Sequence, residues 1–157
     1  NDKKDKVKVS FVPCYLDGQD GIFNKEYYDF LIGQDISVYP SYYEPWGYTP
    51  LESIAFRVPT ITTNLAGFGC WANEVRNNPT ITDGVEVVNR TDENYNEVVN
   101  KIADVLLEFS FIKKTTLYNI RRKASTISKQ ALWDLFIENY YEAYDIAMKN
   151  AASRYRK

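Results

Sequence analysis

Four short runs rich in β-branched residues, spaced by helix-forming segments, constrain the fold of this chain more than any other feature. Val7-Lys8-Val9-Ser10-Phe11-Val12 alternates apolar and polar side chains and stops at Pro13, so a strand is expected there. Ile36 to Tyr39, closed by Pro40, is the second such run, and Pro59-Thr60-Ile61-Thr62-Thr63 is the third. Gly84 leads into the fourth, Val85-Glu86-Val87-Val88. A helix is predicted over Lys25 to Gly33, between the first two runs, and another from Pro50 to about Arg57, between the second and third. Strand, helix, strand, helix, strand is the order of an α/β unit with a parallel sheet.

From Asn96 onward the spacing becomes helical, with Val98, Ile102, Val105, Leu106 and Phe109 on one face and Glu97 paired with Lys101 on another. A second helix is expected from Lys113 to Ile127. A third, from about Lys129, carries Leu132, Leu135, Phe136, Tyr140, Ala143 and Ala147 on a face that must dock on something. With no internal repeat or obvious linker, residues 1–157 read as one domain: a sheet region over 1–91 and a helical tail over 92–157.

Charge and composition exclude several classes. Nineteen basic and 21 acidic residues leave a net charge of −2, and the only charge-dense stretch, Asn1 to Lys8, is mixed in sign, so nucleic acid is a poor partner. No apolar run reaches the length of a membrane span and no signal peptide opens the chain. The two cysteines, Cys14 and Cys70, have no C-x-x-C spacing and the chain has no histidine, so neither a zinc site nor a Cys/His or Ser/His/Asp arrangement can be assembled from it. They read as two buried thiols in a reducing, cytoplasmic compartment. Asn89-Arg90-Thr91 fits a glycosylation sequon, which matters only in a secreted protein.

The chemistry concentrates in Pro40-Ser41-Tyr42-Tyr43-Glu44-Pro45-Trp46-Gly47-Tyr48-Thr49-Pro50-Leu51-Glu52, between a predicted strand and a predicted helix. In a parallel α/β sheet, ligands sit outside the carboxyl ends of the strands, where this loop lies. Thr49 is placed to cap the helix, Pro50 suits its first turn, and Glu52 completes a T-x-x-E capping box. The free N–H groups and positive dipole end of that helix suit a phosphate, and Gly47 permits close backbone approach. Glu44 and Glu52 suit the hydroxyls of a sugar and a ribose, because ionised carboxylates accept hydrogen bonds in several directions. Structural explanations stand beside these: Glu52 closing the capping box, Glu44 as a solvated loop charge, and Trp46 as core.

The run P-S-Y-Y-E-P-W-G-Y-T-P-L-E, with Val58 to Gly69 (V-P-T-I-T-T-N-L-A-G-F-G), closely resembles the donor-site region of glycogen synthases of the animal and fungal type. Phe11-Val12-Pro13-Cys14-Tyr15-Leu16 and Tyr27-Tyr28-Asp29-Phe30 extend the likeness, which is clear from about Val7 to Gly69. The resemblance implies the carboxyl-terminal Rossmann-like domain of the GT-B architecture, which faces a second, amino-terminal domain across the cleft. It matches Glu44 to the glutamate near the transferred glucose, and Trp46, Gly47, Tyr48 and Thr49 to the loop whose amides hold sugar and distal phosphate. Glu52 matches the glutamate that binds ribose hydroxyls, Tyr27 the tyrosine stacked on uracil, and Tyr15 an aromatic beside that base.

By the same resemblance the activity is retaining, metal-free and cofactor-free transfer of glucose from a nucleotide sugar, UDP-glucose or ADP-glucose, to an α-1,4-glucan. The family's diphosphate-binding cations lie upstream of this chain and its active-site histidine belongs to the other domain, so the chain alone is expected to be inactive. Arg57 and Arg76 are the basic residues nearest the motif in sequence, and neither falls on a matching position. The family's strand order would leave a gap between the Val7 and Ile36 strands, to be closed directly or covered by association into a homo-oligomer. Relatives carry an arginine-dense helix that senses glucose 6-phosphate; Leu117 to Thr126 here is thinner in charge and reads as a solvated face, which argues against such activation. The alternatives are another retaining GT-B transferase, or a non-catalytic nucleotide-sugar or glucan-binding module.

Overall fold

The structure, a computed structural model, describes residues 2–155; Asn1, in the charged start, and Arg156 and Lys157, at the end of the predicted tail, lie outside the described residues. Three parallel strands form the sheet in the order β1 (Ser37–Val38), β2 (Thr60–Thr63), β3 (Val85–Val88). The register places Ser37 opposite Thr60, Thr60 opposite Val85 and Thr63 opposite Val88. β2 is central and every residue in it is buried, as expected of a parallel strand covered on both faces. Its threonines are largely satisfied inside: Thr60 bonds Ser37 and the Val58 carbonyl, and the Thr63 hydroxyl donates to the Ser41 carbonyl.

Helices α1 (Tyr27–Leu31), α2 (Tyr48–Ala55), α3 (Gly67–Arg76), α4 (Tyr95–Ser110), α5 (Lys114–Ser128) and α6 (Trp133–Tyr155) complete the described elements, with single 3₁₀ turns at Ile81–Asp83 and Lys129–Ala131. Side chains from α2, α3 and α5 meet β3 in one buried cluster: Ile54, Phe68, Ala72, Val85, Ala124 and Ile127. On the other face, α4 supplies Val98, Val105 and Phe109, which pack with Ile61, Ile81 and Val88. The alternation of Val85 and Val88 between the two clusters is the period-two pattern of a strand buried on both sides.

Several expectations are corrected. Val7 to Val12 is no strand; Val7, Val9 and Phe11 are exposed, Phe11 at 81%. Alternation specifies which side chains a strand would bury, but it does not by itself bring the run to a sheet edge in register, and the run is not among the three strands of the sheet. The described sheet has no central gap, with β1 and β3 at its two edges and β2 between them. The T-x-x-E capping box is also absent: Gly47, at φ 111°, occupies the N-cap position, so Thr49 lies inside the first turn and Glu52 bonds Tyr28 instead. Helix α3 was not expected, because its glycine-rich start reads as a loop.

Lys101 pairs with Glu86 on β3 at 2.9 Å rather than with Glu97, because the nearly buried Glu86 carboxylate (7% exposed) has greater need of a counter-charge. Cys14 and Cys70 are both exposed, the first on the amino-terminal segment before α1, the second in the first turn of α3. Helix α6 docks through Phe136, while Leu132, Leu135, Tyr140, Ala143 and Ala147 stay exposed. No helix among the described residues is long and apolar enough to cross a membrane.

Candidate functional site

The loop from Ser41 to Gly47 leaves β1 at the carboxyl edge of the sheet and is fastened to the turn after β2. The Glu44 N–H donates to the Leu65 carbonyl at 3.3 Å, and the Glu44 carbonyl accepts from Gly67 N–H at 3.1 Å. Phe68 N–H donates to the Trp46 carbonyl at 2.6 Å. This approach requires glycine at the start of α3, since a Cβ at position 67 would lie 2.2 Å from the Pro45 carbonyl oxygen. The Glu44 carboxylate is half-buried and accepts from the Ser41 hydroxyl at 3.2 Å.

Gly47 turns the chain into α2 with positive φ, and its position is buried; a side chain there would press on Pro50 and Phe68. The Tyr48 and Thr49 N–H groups, first in the helix, have no acceptor four residues back, and no bond to a described residue uses them. Both residues are exposed, and their amides stand at the positive end of the helix, next to Gly47, where a Cβ would lie 3.6 Å from the Glu44 carboxylate. The Trp46 indole packs edge-on to Phe68 and Phe136 and lies 5.8 Å from Trp71 between ring centroids.

On the side toward α1, Tyr28 donates its hydroxyl to Glu52 at 3.1 Å, and that bond raises the tyrosine's pKa. The Tyr27 hydroxyl lies 3.3 Å from that of Tyr39, which in turn bonds Ser53 at 2.8 Å. Burial first, then the bond to Tyr39, pushes the Tyr27 phenol well above its ordinary value, so it remains a neutral hydroxyl. Tyr15 stands apart at 95% exposure. The fold thus gathers Glu44, Trp46, Gly47, Tyr48 and Thr49 at one helix entry, holds Tyr27 and Glu52 on its α1 side, and leaves Tyr15 outside.

Three residues escaped the sequence reading. Ser41 and Tyr28 hold the two glutamates, and no spacing rule links either pair. Arg90, two residues past β3, is the cation that the fold brings to the loop, in place of Arg57 or Arg76. It is only 6% exposed, its Nη1 donates to the Pro40 carbonyl at 2.5 Å, and its guanidinium carbon sits 3.4 Å from the centre of the Tyr42 ring. The one available signal was its place just after a strand, at the ligand-binding edge of a parallel sheet.

Glu44 is in the lining of neither of two hollows. One, of about 530 Å³, is lined by Trp46, Tyr48, Leu51, Trp71, Trp133 and Phe136 among others. The second, of about 580 Å³, is bordered by Arg76, Arg122 and Lys123. The basic face of α5 is more than solvated: Arg121 donates to the Gln34 carbonyl and pairs with Asp35, and Lys123 pairs with Asp83 at 3.0 Å.

The family model described as Glycogen synthase matches residues 1–157. Glycogen [starch] synthase of Neurospora crassa is 34% identical over 151 residues, covering 96% of this chain and 21% of that protein. Isoform 1 of Saccharomyces cerevisiae is 34% identical over 152 residues, with 96% and 22% covered. The liver enzyme of Homo sapiens is 32% identical over 153 residues, with 96% and 21% covered. The chain spans about a fifth of the length of these relatives.

Proposed function

The chain belongs to the glycogen synthase family, and from that premise we propose that it is the nucleotide-sugar-binding part of a longer enzyme that transfers glucose to an α-1,4-glucan. UDP-glucose is the donor in this reading, with ADP-glucose the alternative. The fold is read as the Rossmann-like carboxyl-terminal half of a GT-B transferase, cytoplasmic and completed by an amino-terminal domain.

The observation that carries the proposal is the entry to α2. Two unengaged amides at a helix N-terminus lie beside a loop carboxylate, at the carboxyl edge of a parallel sheet. Charge builds on the departing diphosphate during glycosyl transfer, and fixed amides aimed at it need no reorganisation as it forms. Glu44 is assigned to the glucose near its anomeric carbon, in a reaction that retains configuration. Glu52 is assigned to the ribose hydroxyls, where its bond from Tyr28 leaves lone pairs free to accept others. Tyr27, held as a neutral phenol, is assigned to the base. Tyr15 is assigned to the same base in the completed enzyme.

Glucose transfer from UDP-glucose to glycogen by the full-length protein tests the reading. Glu44→Gln is expected to lower kcat by about 10²-fold or more, as loss of a group acting in the transition state does, with donor KM changed far less. Full activity in that variant removes the assignment of Glu44. The isolated chain is expected to bind UDP weakly and to transfer no glucose. Calorimetry should show weaker binding in Glu52→Ala and Tyr27→Ala, and unchanged affinity in both overturns the site; elongation of glycogen by the chain alone overturns its inactivity.

A further inference from the structure

We propose that Arg90 is a positioning residue that clamps the Pro40–Glu44 segment and so sets the placement of the Glu44 carboxylate, a role that rests on the donor-site reading above. Arg90 follows β3, whereas the segment it touches follows β1; the clamp therefore spans the whole described sheet, from edge to edge.

Its contacts are of three kinds. The guanidinium donates through Nη1 to the Pro40 carbonyl at 2.5 Å, fixing the point at which the chain leaves β1. The guanidinium carbon also sits over the Tyr42 ring, 3.4 Å from its centre, holding the residue two before Glu44. The Arg90 N–H donates to the Asn64 side chain at 2.5 Å, tying the arginine's own backbone to the turn after β2, where Leu65 receives the Glu44 N–H. One residue thus touches the loop at its start and middle, and braces the turn that holds its end.

The energetics of the site favour this role over simple packing. Arg90 is more than nine-tenths buried, no carboxylate among the described residues pairs with it, and its Nε has no hydrogen-bond partner. A buried cation without a counter-charge costs stability, and an apolar side chain would fill the same space without that cost. Lysine would keep the charge and lose the planar face that meets Tyr42. Both the charge and the planar shape are accounted for when the requirement is to hold a carbonyl and an aromatic ring together in the segment that leads to Glu44.

The test uses the full-length protein with Arg90→Ala and Arg90→Lys, read by amide hydrogen exchange and by steady-state kinetics. In both variants the Glu44 amide should exchange at least tenfold faster than in the parent, with the β2 amides unchanged. In Arg90→Ala kcat per folded molecule should fall at least tenfold with donor KM within about threefold, and Arg90→Lys should recover only part of it. Unchanged loop exchange, or full recovery of kcat by lysine, overturns the clamp. Faster loop exchange with unaltered kcat overturns its role in placing Glu44. Should Arg90→Ala fail to fold, the lysine variant decides by the same two readouts. If the parent protein transfers no glucose while loop exchange responds as stated, the donor-site reading fails and the clamp stands as a structural device.

Discussion

At the scale of single residues, two glycines decide the shape of the site. Gly47 has φ 111°, a region that other residues enter only under strain, and a Cβ there would sit 3.1 Å from Pro50 and 3.2 Å from Phe68. Gly47→Ala should therefore destabilise the protein by about 1–3 kcal/mol and weaken nucleotide binding, measured by urea unfolding and calorimetry. Gly67 has a different reason for being glycine: its missing side chain leaves room for the Pro45 carbonyl. Gly67→Ala must push that carbonyl away, breaking the bond from Gly67 N–H to Glu44. Donor turnover should fall with it, and a variant with parental kcat and stability would show that the loop gives way without cost.

At the scale of elements, ion pairs secure α4 to the sheet and α5 to the 3₁₀ turn at Ile81–Asp83, and they respond to pH in opposite senses. Lys101 of α4 meets Glu86 of β3, and the bond to Glu86 raises the lysine's pKa. A pKa raised on folding means that the stabilisation is complete below the ordinary lysine value of 10.5 and is lost as pH rises through the higher folded one. Lys101→Ala should thus cost about 1 kcal/mol at neutral pH, less than for a fully buried pair because the lysine is half-exposed, and the difference should shrink above about pH 10.5.

The 3₁₀ turn at Ile81–Asp83 behaves in the other direction. Burial pushes the Asp83 carboxyl up, but bonds from Lys123 and from Thr80 outweigh it and leave the pKa below the ordinary value. Stabilisation from this group is present above the unfolded value and disappears as pH falls through the folded one. Asp83→Asn should remove that part of the acid sensitivity, by less than about 1 kcal/mol for so exposed a pair, with thermal unfolding between pH 2 and 6 as the measurement.

At the scale of the whole molecule, the most consequential feature is apolar surface without cover. Leu132, Trp133, Leu135, Tyr140, Tyr144, Ile146 and Met148 are exposed along or beside α6, and Val7, Val9 and Phe11 along the amino-terminal segment. Exposed apolar side chains in such number favour association in water. The isolated chain is accordingly expected to self-associate, and Leu135→Lys combined with Tyr144→Lys should weaken that association. Light scattering giving only the 18.2 kDa monomer at high concentration would contradict it.

The sequence by itself determined the strands at β2 and β3, the helices from Tyr95 to Ser128 and the loop between β1 and α2, because each is written in local terms: β-branched runs, helical spacing, and an unusual string of loop residues. It misread Val7 to Val12 because alternation is local but strand pairing is not. It placed the helix cap at Thr49 because a T-x-x-E string is visible in one dimension and the left-handed turn at Gly47 is not. Only the tertiary structure decided which groups hold the glutamates: Tyr28 is 24 residues from Glu52 in sequence, and Arg90 is 50 from Pro40. Contacts across such separations arise when sheet and helices pack, and no spacing in the chain records them.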